Sequence, residues 1–343
     1  MSEDQYVGLD VHQASVSYAV LEAGGRLVAE GVLATEPVRL AGWVRGLGSG
    51  VHLTFEEGPY ADWLYELLEP VVKELVVANP RRHLGTGEGK SDRLDARDLA
   101  ERLRGGFLVP VYHDRSRYRE LQHLVDGYRS LVQDSVRLQN RRSALARSRG
   151  LCVKEVLSGA SLGSPMALER FGWLTEELAG ITAVRERAHD AVVQASRRSE
   201  ACRLLQTVPG FGPIRSAIVV AKVRTPHRFR TKRQLWKYAG LAVVTHSSSD
   251  YVVGAQGLER RRWQATRGLN RHYSRSLKEV FKSAALDASR RGALSPCYEA
   301  RLAAGQRPEM ATLTLARKLA ATCLVLWKRR ETFDISKALS STA

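Results

Sequence analysis

Between Tyr118 and Arg149 the apolar residues Leu121, Leu124, Tyr128, Leu131, Leu138 and Leu145 fall on one seam of alternating three- and four-residue steps, broken by Ser135 and Arg142. That period belongs to a long amphipathic helix. A chain of 343 residues has room for two or three domains at ~100 to 200 residues each, and the helix is where this one is expected to divide. A loop rich in Gly and Ser, "LSGASLGSP", follows, and a second helical stretch runs from about Leu174 to Leu205, with Leu178, Ile181, Ala188, Val192 and Ala195 on it. Three arrangements satisfy the pair: a hairpin within the chain, a plain helical linker, or an arm that pairs between subunits.

Ahead of the seam, "QYVGLDVHQASVSYAVLEAGGRLVAEGVLAT" reads as strands over Tyr6 to Val11, Ser15 to Leu21 and Leu27 to Leu33, with a turn at Gly24-Gly25. A helix around Pro37 to Leu47 comes next, then the strand "VHLTFE". The segment "YADWLYELLEPVV" carries Trp63, Leu64, Leu67, Leu68 and Val71 at helical spacing, and the apolar run "ELVVANP" reads as a buried strand stopped by Pro80. Strands followed by alternating helices and strands predict a mixed α/β domain to about residue 110. From Leu205 a compact, mostly helical domain is expected, closing in the helix "TLTLARKLAATCLVLWKRR". The fold class is therefore α/β plus α, with segments 1–113, 114–203 and 204–335 and a polar tail over 336–343.

Lys and Arg number 53 against 36 Asp and Glu, a net charge of +17. Such a surplus repels itself unless a polyanion neutralises it, which points to nucleic acid. The excess is also uneven. From Arg224 to Arg275 twelve basic residues, among them Arg260, Arg261, Arg262 and Arg267, stand against Asp250 and Glu259 alone. The four cysteines are scattered and form neither a disulfide framework nor a zinc spacing. The start "MSEDQYVGLDVH" is acidic without an apolar signal core, and no stretch has the ~18 uninterrupted apolar residues of a membrane span. A cytoplasmic protein without a membrane partner is expected.

Against this basic background the carboxylates are grouped. Asp10 follows "YVGL" at the end of a strand, and Glu56 or Glu57 follows "VHLTF" at the end of another. An apolar strand gains nothing from burying a charge, so two such acids suggest a site. In "GKSDRLDARDLAERL" Asp92 and Asp95, three apart, share a helix face, whereas Asp98 and Glu101 read as partners of neighbouring arginines. Four converging acids repel one another unless divalent cations lie between them, and hard oxygen donors select Mg²⁺ or Mn²⁺. Two such ions about 4 Å apart clamp the attacking and leaving oxygens of a phosphodiester. The competing explanation for Asp92 and Asp95 is an exposed helix whose charges merely alternate.

In the second half "LLQTVPGFGPIRSA" has the Gly-x-Gly turn of a helix-hairpin-helix, where Gly210 and Gly212 would let backbone amides approach a phosphate. A purely structural turn is the alternative.

The order of these motifs resembles a known family. "GLDVH", "FEEGPYADWLYELL", "VVANPRR", "GKSDRLDARDLAERL", "LLQTVPGFGPIRSA", "FRTKRQLWKYAGLAVVTHSSSD" and "TRGLNRHYSR" are similar to the insertion-sequence-110 transposases, relatives of the Piv and MooV DNA invertases. The resemblance implies a RuvC-like, RNase H type N-terminal domain, a coiled-coil middle and a C-terminal transposase domain. It implies a metal-binding acidic tetrad at Asp10, Glu56, Asp92 and Asp95; Glu56 is chosen because it directly follows Phe55, with Glu57 the neighbouring candidate. It further implies a serine nucleophile, which counting from Gly240-Leu241 falls on Ser248, flanked by Ser247 and Ser249, with His246 nearby. Ser249 stands where the family often has Gly, and Val243 where it often has Pro. By the same resemblance the partners are DNA, a bridge RNA that supplies specificity and further copies of the chain, as a dimer or tetramer at the bacterial nucleoid. A metal-dependent, structure-selective endonuclease would need the tetrad but not Ser248. A non-catalytic nucleic-acid-binding protein would need neither.

Overall fold

The computed structural model describes residues 4–80, 91–115, 118–245, 251–254, 257–260, 266–270, 272–290 and 294–336. Packing divides the chain into two compact units, Met1–Arg115 and Ser116–Ala343.

The first unit is built on a five-stranded sheet of order β3-β2-β1-β4-β5, made by β1 (Gln5–Val11), β2 (Ser15–Glu22), β3 (Leu27–Ala34), β4 (Val51–Glu56) and β5 (Glu74–Ala78). The first three strands form an antiparallel meander, while β4 and β5 run parallel to β1. Parallel pairing requires crossovers. Helix α1 (Pro37–Gly46) supplies one between β3 and β4, and α2 (Ala61–Leu68) the other between β4 and β5. Strand side chains alternate between faces. Val7 and Leu9 of β1 and Leu53 and Phe55 of β4 therefore point to one side, where they form a core with Leu40 and Val44 of α1 and Leu64 and Leu68 of α2. Gly8 and Asp10, with Thr54 and Glu56, take the other side.

Helix α3 (Asp92–Arg104) covers that second face. Its buried residues Ala96, Leu99, Ala100 and Leu103 form a stripe with helical spacing. Gly8 is what lets it settle. A Cβ at that position would collide with the carbonyl oxygen of Ala96 and stand 2.6 Å from the amide nitrogen of Ala100. After α3 the chain returns to the sheet edge, where Val111 donates its amide to Val77 O and Asn79 donates to Val109 O.

In the second unit α4 (Arg119–Arg147) and α6 (Pro165–Arg198) pack against each other, joined through the short α5 (Val153–Leu157). Of the arrangements open to the two helices, a hairpin within the chain is the one observed. Its tip has a small core of its own, from Ala146, Val156, Leu162 and Phe171. The second helix begins earlier than its apolar spacing predicts, at Pro165, and ends at Ser199, whose hydroxyl accepts from Cys202 N and starts α7 (Glu200–Gln206).

Beyond it lie α8 (Pro213–Val223), α9 (Lys232–Tyr238), the strands β6 (Val243–Thr245), β7 (Tyr251–Gly254), β8 (Gly257–Arg260) and β9 (Thr266–Leu269), then α10 (Arg275–Arg290), α11 (Ser295–Ala303) and α12 (Pro308–Arg329). The expected helical domain thus includes two small antiparallel ribbons, β6 with β9 and β7 with β8. Among the described residues α12 alone is long and apolar enough to cross a membrane, yet 61% of its most apolar window is buried. It is the central core helix, contributing Leu315, Leu319, Leu324 and Trp327 to a core shared with Phe281 of α10 and Leu205 of α7.

Candidate active site

Strand register places the first two acids. In the parallel β1–β4 pair Gly8 lies opposite Thr54 and Leu9 opposite Phe55, so Asp10 and Glu56 are the next residues along neighbouring strands, at the same end and on the α3 face. Glu57 does not share that position. Its amide donates to Ala78 O, and its carboxylate meets His113 Nε2 at 2.6 Å. The other ring nitrogen of the buried His113 stands 3.2 Å from Asp62. Glu57 therefore belongs to a His-carboxylate cluster of its own.

The other two acids come from the start of α3. Ser91 caps the helix in an extended conformation, its hydroxyl accepting from Leu94 N at 3.4 Å. Asp92 and Asp95 occupy the first turn, where the helix dipole favours negative charge. They continue the stripe of Ala96, Leu99, Ala100 and Leu103, so a helix that seats its apolar stripe on the sheet carries both carboxylates over the strand ends. Asp98 and Glu101 lie off the stripe and pair with Arg102 at 2.6 Å and Arg104 at 2.9 Å.

The charges feel one another. Partial burial raises the Asp10 carboxyl above its ordinary value; His12 opposes the shift, and Asp92 and Asp95 add to it. Glu56 lies open on one side, yet loss of hydration at the strand end is again the first cause of a raised value, followed by repulsion from Asp10 and Asp95 and relief from Arg102. Each shift records first a carboxyl that has lost hydration and then the repulsion of neighbouring carboxylates. Oxygen donors held in that state fit a hard divalent cation.

The structure adds one member to the set expected from sequence. His12 Nε2 lies 3.1 Å from Asp10 Oδ2 and 3.4 Å from Asp92 Oδ2. Among the described residues Asp10, His12 and Asp92 offer ligand atoms within 4.8 Å of one another, close enough to share an ion. The signal available in the sequence is parity: two residues beyond Asp10 is the same side of the chain.

The second unit is less complete. Ser247, Ser248, Ser249, His246, Arg261 and Arg262 lie outside the described residues, and Arg260 and Arg267 are described only as backbone positions in β8 and β9. Gly210 and Gly212 lie in the turn between α7 and α8. Gly210 has φ +83°, and a Cβ on it would meet Ala284 O at 2.5 Å, so a glycine is needed where this turn packs on α10. Gly212 precedes Pro213 at the start of α8 with open space around its Cα. Arg215 Nη1 ties the turn by donating to Gly210 O and pairing with Asp287 of α10.

An acid-bearing α/β unit ahead of a long helical pair and a mostly helical unit is the architecture against which known families can be compared. Residues 7–148 match a DEDD-type IS110 family model described as Transposase, and residues 202–298 match one described as Transposase IS116/IS110/IS902 family. The chain belongs to the IS110 family of transposases. Similar curated proteins include the transposase for insertion sequence element IS1111A of Coxiella burnetii, 25% identical over 206 residues, 57% of this chain and 56% of that protein. Another is y4pF/y4sB of Sinorhizobium fredii, provisionally named a transposase, 22% identical over 283 residues, 74% of this chain and 67% of its own length. The chain thus spans little more than half of the first relative.

Proposed function

We propose that this chain is a DNA transposase that cuts, exchanges and rejoins strands to move an insertion sequence in the bacterial nucleoid. The observation that carries the reading is the gathering of Asp10, Glu56, Asp92 and the first turn of α3 with Asp95 at one sheet end, in a chain that matches transposase models in both units. In this reading the α/β unit is RuvC-like, of RNase H type, and its four acids hold Mg²⁺ or Mn²⁺. When bound, the ions neutralise the scissile phosphate and polarise its oxygens. The carboxylates fix where that charge sits, and the α3 dipole steadies Asp92 and Asp95.

Ser248 is the nucleophile. Its Oγ forms a bond to phosphorus as the bond from phosphorus to the leaving sugar oxygen breaks, and the hydroxyl proton passes through solvent to that oxygen. The phosphoserine ester conserves the energy of the broken linkage, and reversal with a second strand's hydroxyl rejoins DNA. The turn at Gly210 and Gly212 acts as a helix-hairpin-helix contact to backbone phosphate, and Arg260, Arg261, Arg262 and Arg267 supply charge along the nucleic acid. A bridge RNA selects the sites, and the active form is a homo-oligomer.

The test is covalent trapping. Incubation with labelled substrate followed by denaturing gels and peptide mapping should reveal DNA attached at Ser248, lost in Ser248→Ala and in Asp92→Asn, with nucleic-acid binding retained by both. Glu56→Gln should abolish cleavage while Glu57→Gln leaves it. Cleavage without an adduct would mean that water attacks, as in a structure-selective endonuclease. Undiminished cleavage by Asp92→Asn would remove the acids from the chemistry.

A further inference from the structure

The acids divide into two overlapping groups. Glu56, raised first by burial, also feels Asp10 and Asp95, whereas Asp10 and Asp92 share His12. Asp10 is common to both. The first group offers only oxygen, and the second brings a ring nitrogen.

We infer that His12 is a ligand of the divalent ion held by Asp10 and Asp92, and that its nitrogen tilts this position toward Mn²⁺ over Mg²⁺. This rests on the acid-site reading above. A single Nε2 faces two carboxylate oxygens at 3.1 and 3.4 Å, an arrangement that calls for an N–H proton or a cation between the three atoms. A donated N–H can fill that place in the bare protein, and a metal ion can take it over. The three atoms lie within 4.8 Å of one another, which matches one ion with bonds of about 2.0–2.3 Å.

The ring is also placed by its backbone. His12 N donates to Ser15 O at 2.9 Å, and Thr35 Oγ1 donates to His12 O at 2.9 Å, which pins the mouth of the β1–β2 turn from β1's own hairpin and from the end of β3. The side chain is 52% exposed, so an ion can reach it from solvent. Its chemistry then sets a preference. Mg²⁺ keeps to oxygen donors and gives up its own waters reluctantly, while Mn²⁺, also matched to carboxylate and water, is a first-row transition ion that tolerates one imidazole nitrogen better.

The experiment uses the full chain, stripped with chelator and titrated with Mn²⁺ at one fixed pH. Pulsed electron paramagnetic resonance should reveal a directly coupled nitrogen on the bound ion. In His12→Gln, which keeps a polar side chain and offers oxygen instead, that coupling should vanish. Mn²⁺ affinity should fall by about tenfold, a loss of the size seen when groups supporting a metal site are removed, with a smaller change for Mg²⁺. His12→Ala, checked for unchanged circular dichroism and melting, should show the same loss of coupling. Stoichiometric Mn²⁺ binding without nitrogen coupling in the wild type would overturn ligation by His12 and leave the acid site standing. Equal weakening of Mn²⁺ and Mg²⁺ in both variants would overturn the selectivity. A wild type that binds no Mn²⁺ stoichiometrically would overturn the acid-site reading itself.

Discussion

Asp10 and Glu56 burden the metal-free fold. Burial first, and then the neighbouring carboxylates, raise Glu56; Asp10 is raised by burial with His12 working against it. A carboxyl whose folded pKa exceeds its unfolded one holds its proton more tightly when folded. It costs nothing at acid pH, and lowers stability as pH rises through the ordinary value and then the folded one. Asp10→Asn should therefore melt higher than the wild type at neutral pH in chelator, and the difference should close as pH falls below the ordinary carboxylate value of 3.8. Added Mg²⁺ should raise the wild type more than the variant. A variant that melts lower at neutral pH would contradict the electrostatic cost. The acids themselves are legible in the sequence, because a carboxylate ending an apolar strand and a pair of aspartates three apart are visible without coordinates. Glu56 and Glu57 differ only by face, which depends on the register with β1 and on His113, 56 residues further along. His12 is legible only by its parity with Asp10, and that signal is weak, since a histidine after a strand is commonplace until Asp92 is known to stand beside it.

Among the elements, α4 is the most legible: its seam predicts Tyr118 to Arg149, and the helix runs Arg119–Arg147. The interruption of that seam is the informative part. Ser135 is fully buried, and its hydroxyl donates to Leu131 O one turn back, so a small residue with a satisfied polar atom occupies a position where the period calls for leucine. Restoring the period with Ser135→Leu should destabilise the chain by roughly 1–3 kcal/mol through overpacking, measured by denaturant unfolding. A more stable variant would show that the seam has space to spare. The start of α6 escapes sequence reading although Ser164-Pro165 is a helix-opening pair, because the serines and glycines around it read as loop. The ribbons β6–β9 and β7–β8 escape because strands of three or four residues are too short for alternation to register.

For the whole molecule the dominant quantity is the charge of +17. Nucleic-acid affinity should fall steeply with salt, with a log-log slope near −0.9 per phosphate contact on duplex DNA, and replacing Arg260, Arg261 and Arg262 together should flatten it by about 0.9 for each phosphate those arginines neutralise. An unchanged slope would return them to ordinary surface. The α/β-then-helical order is legible because strand and helix periods separate cleanly along the chain. The carboxylates' common location is not, because it depends on a helix seated over Gly8. That seating sets a schedule during synthesis. Asp10 and Glu56 leave the ribosome well before Asp92 and Asp95, and the sheet end stays half built until α3 has emerged and docked. A nascent or prematurely terminated chain that stops short of α3 carries two of the four acids, so under the function proposed above the metal-holding site comes into being only with the folding of α3.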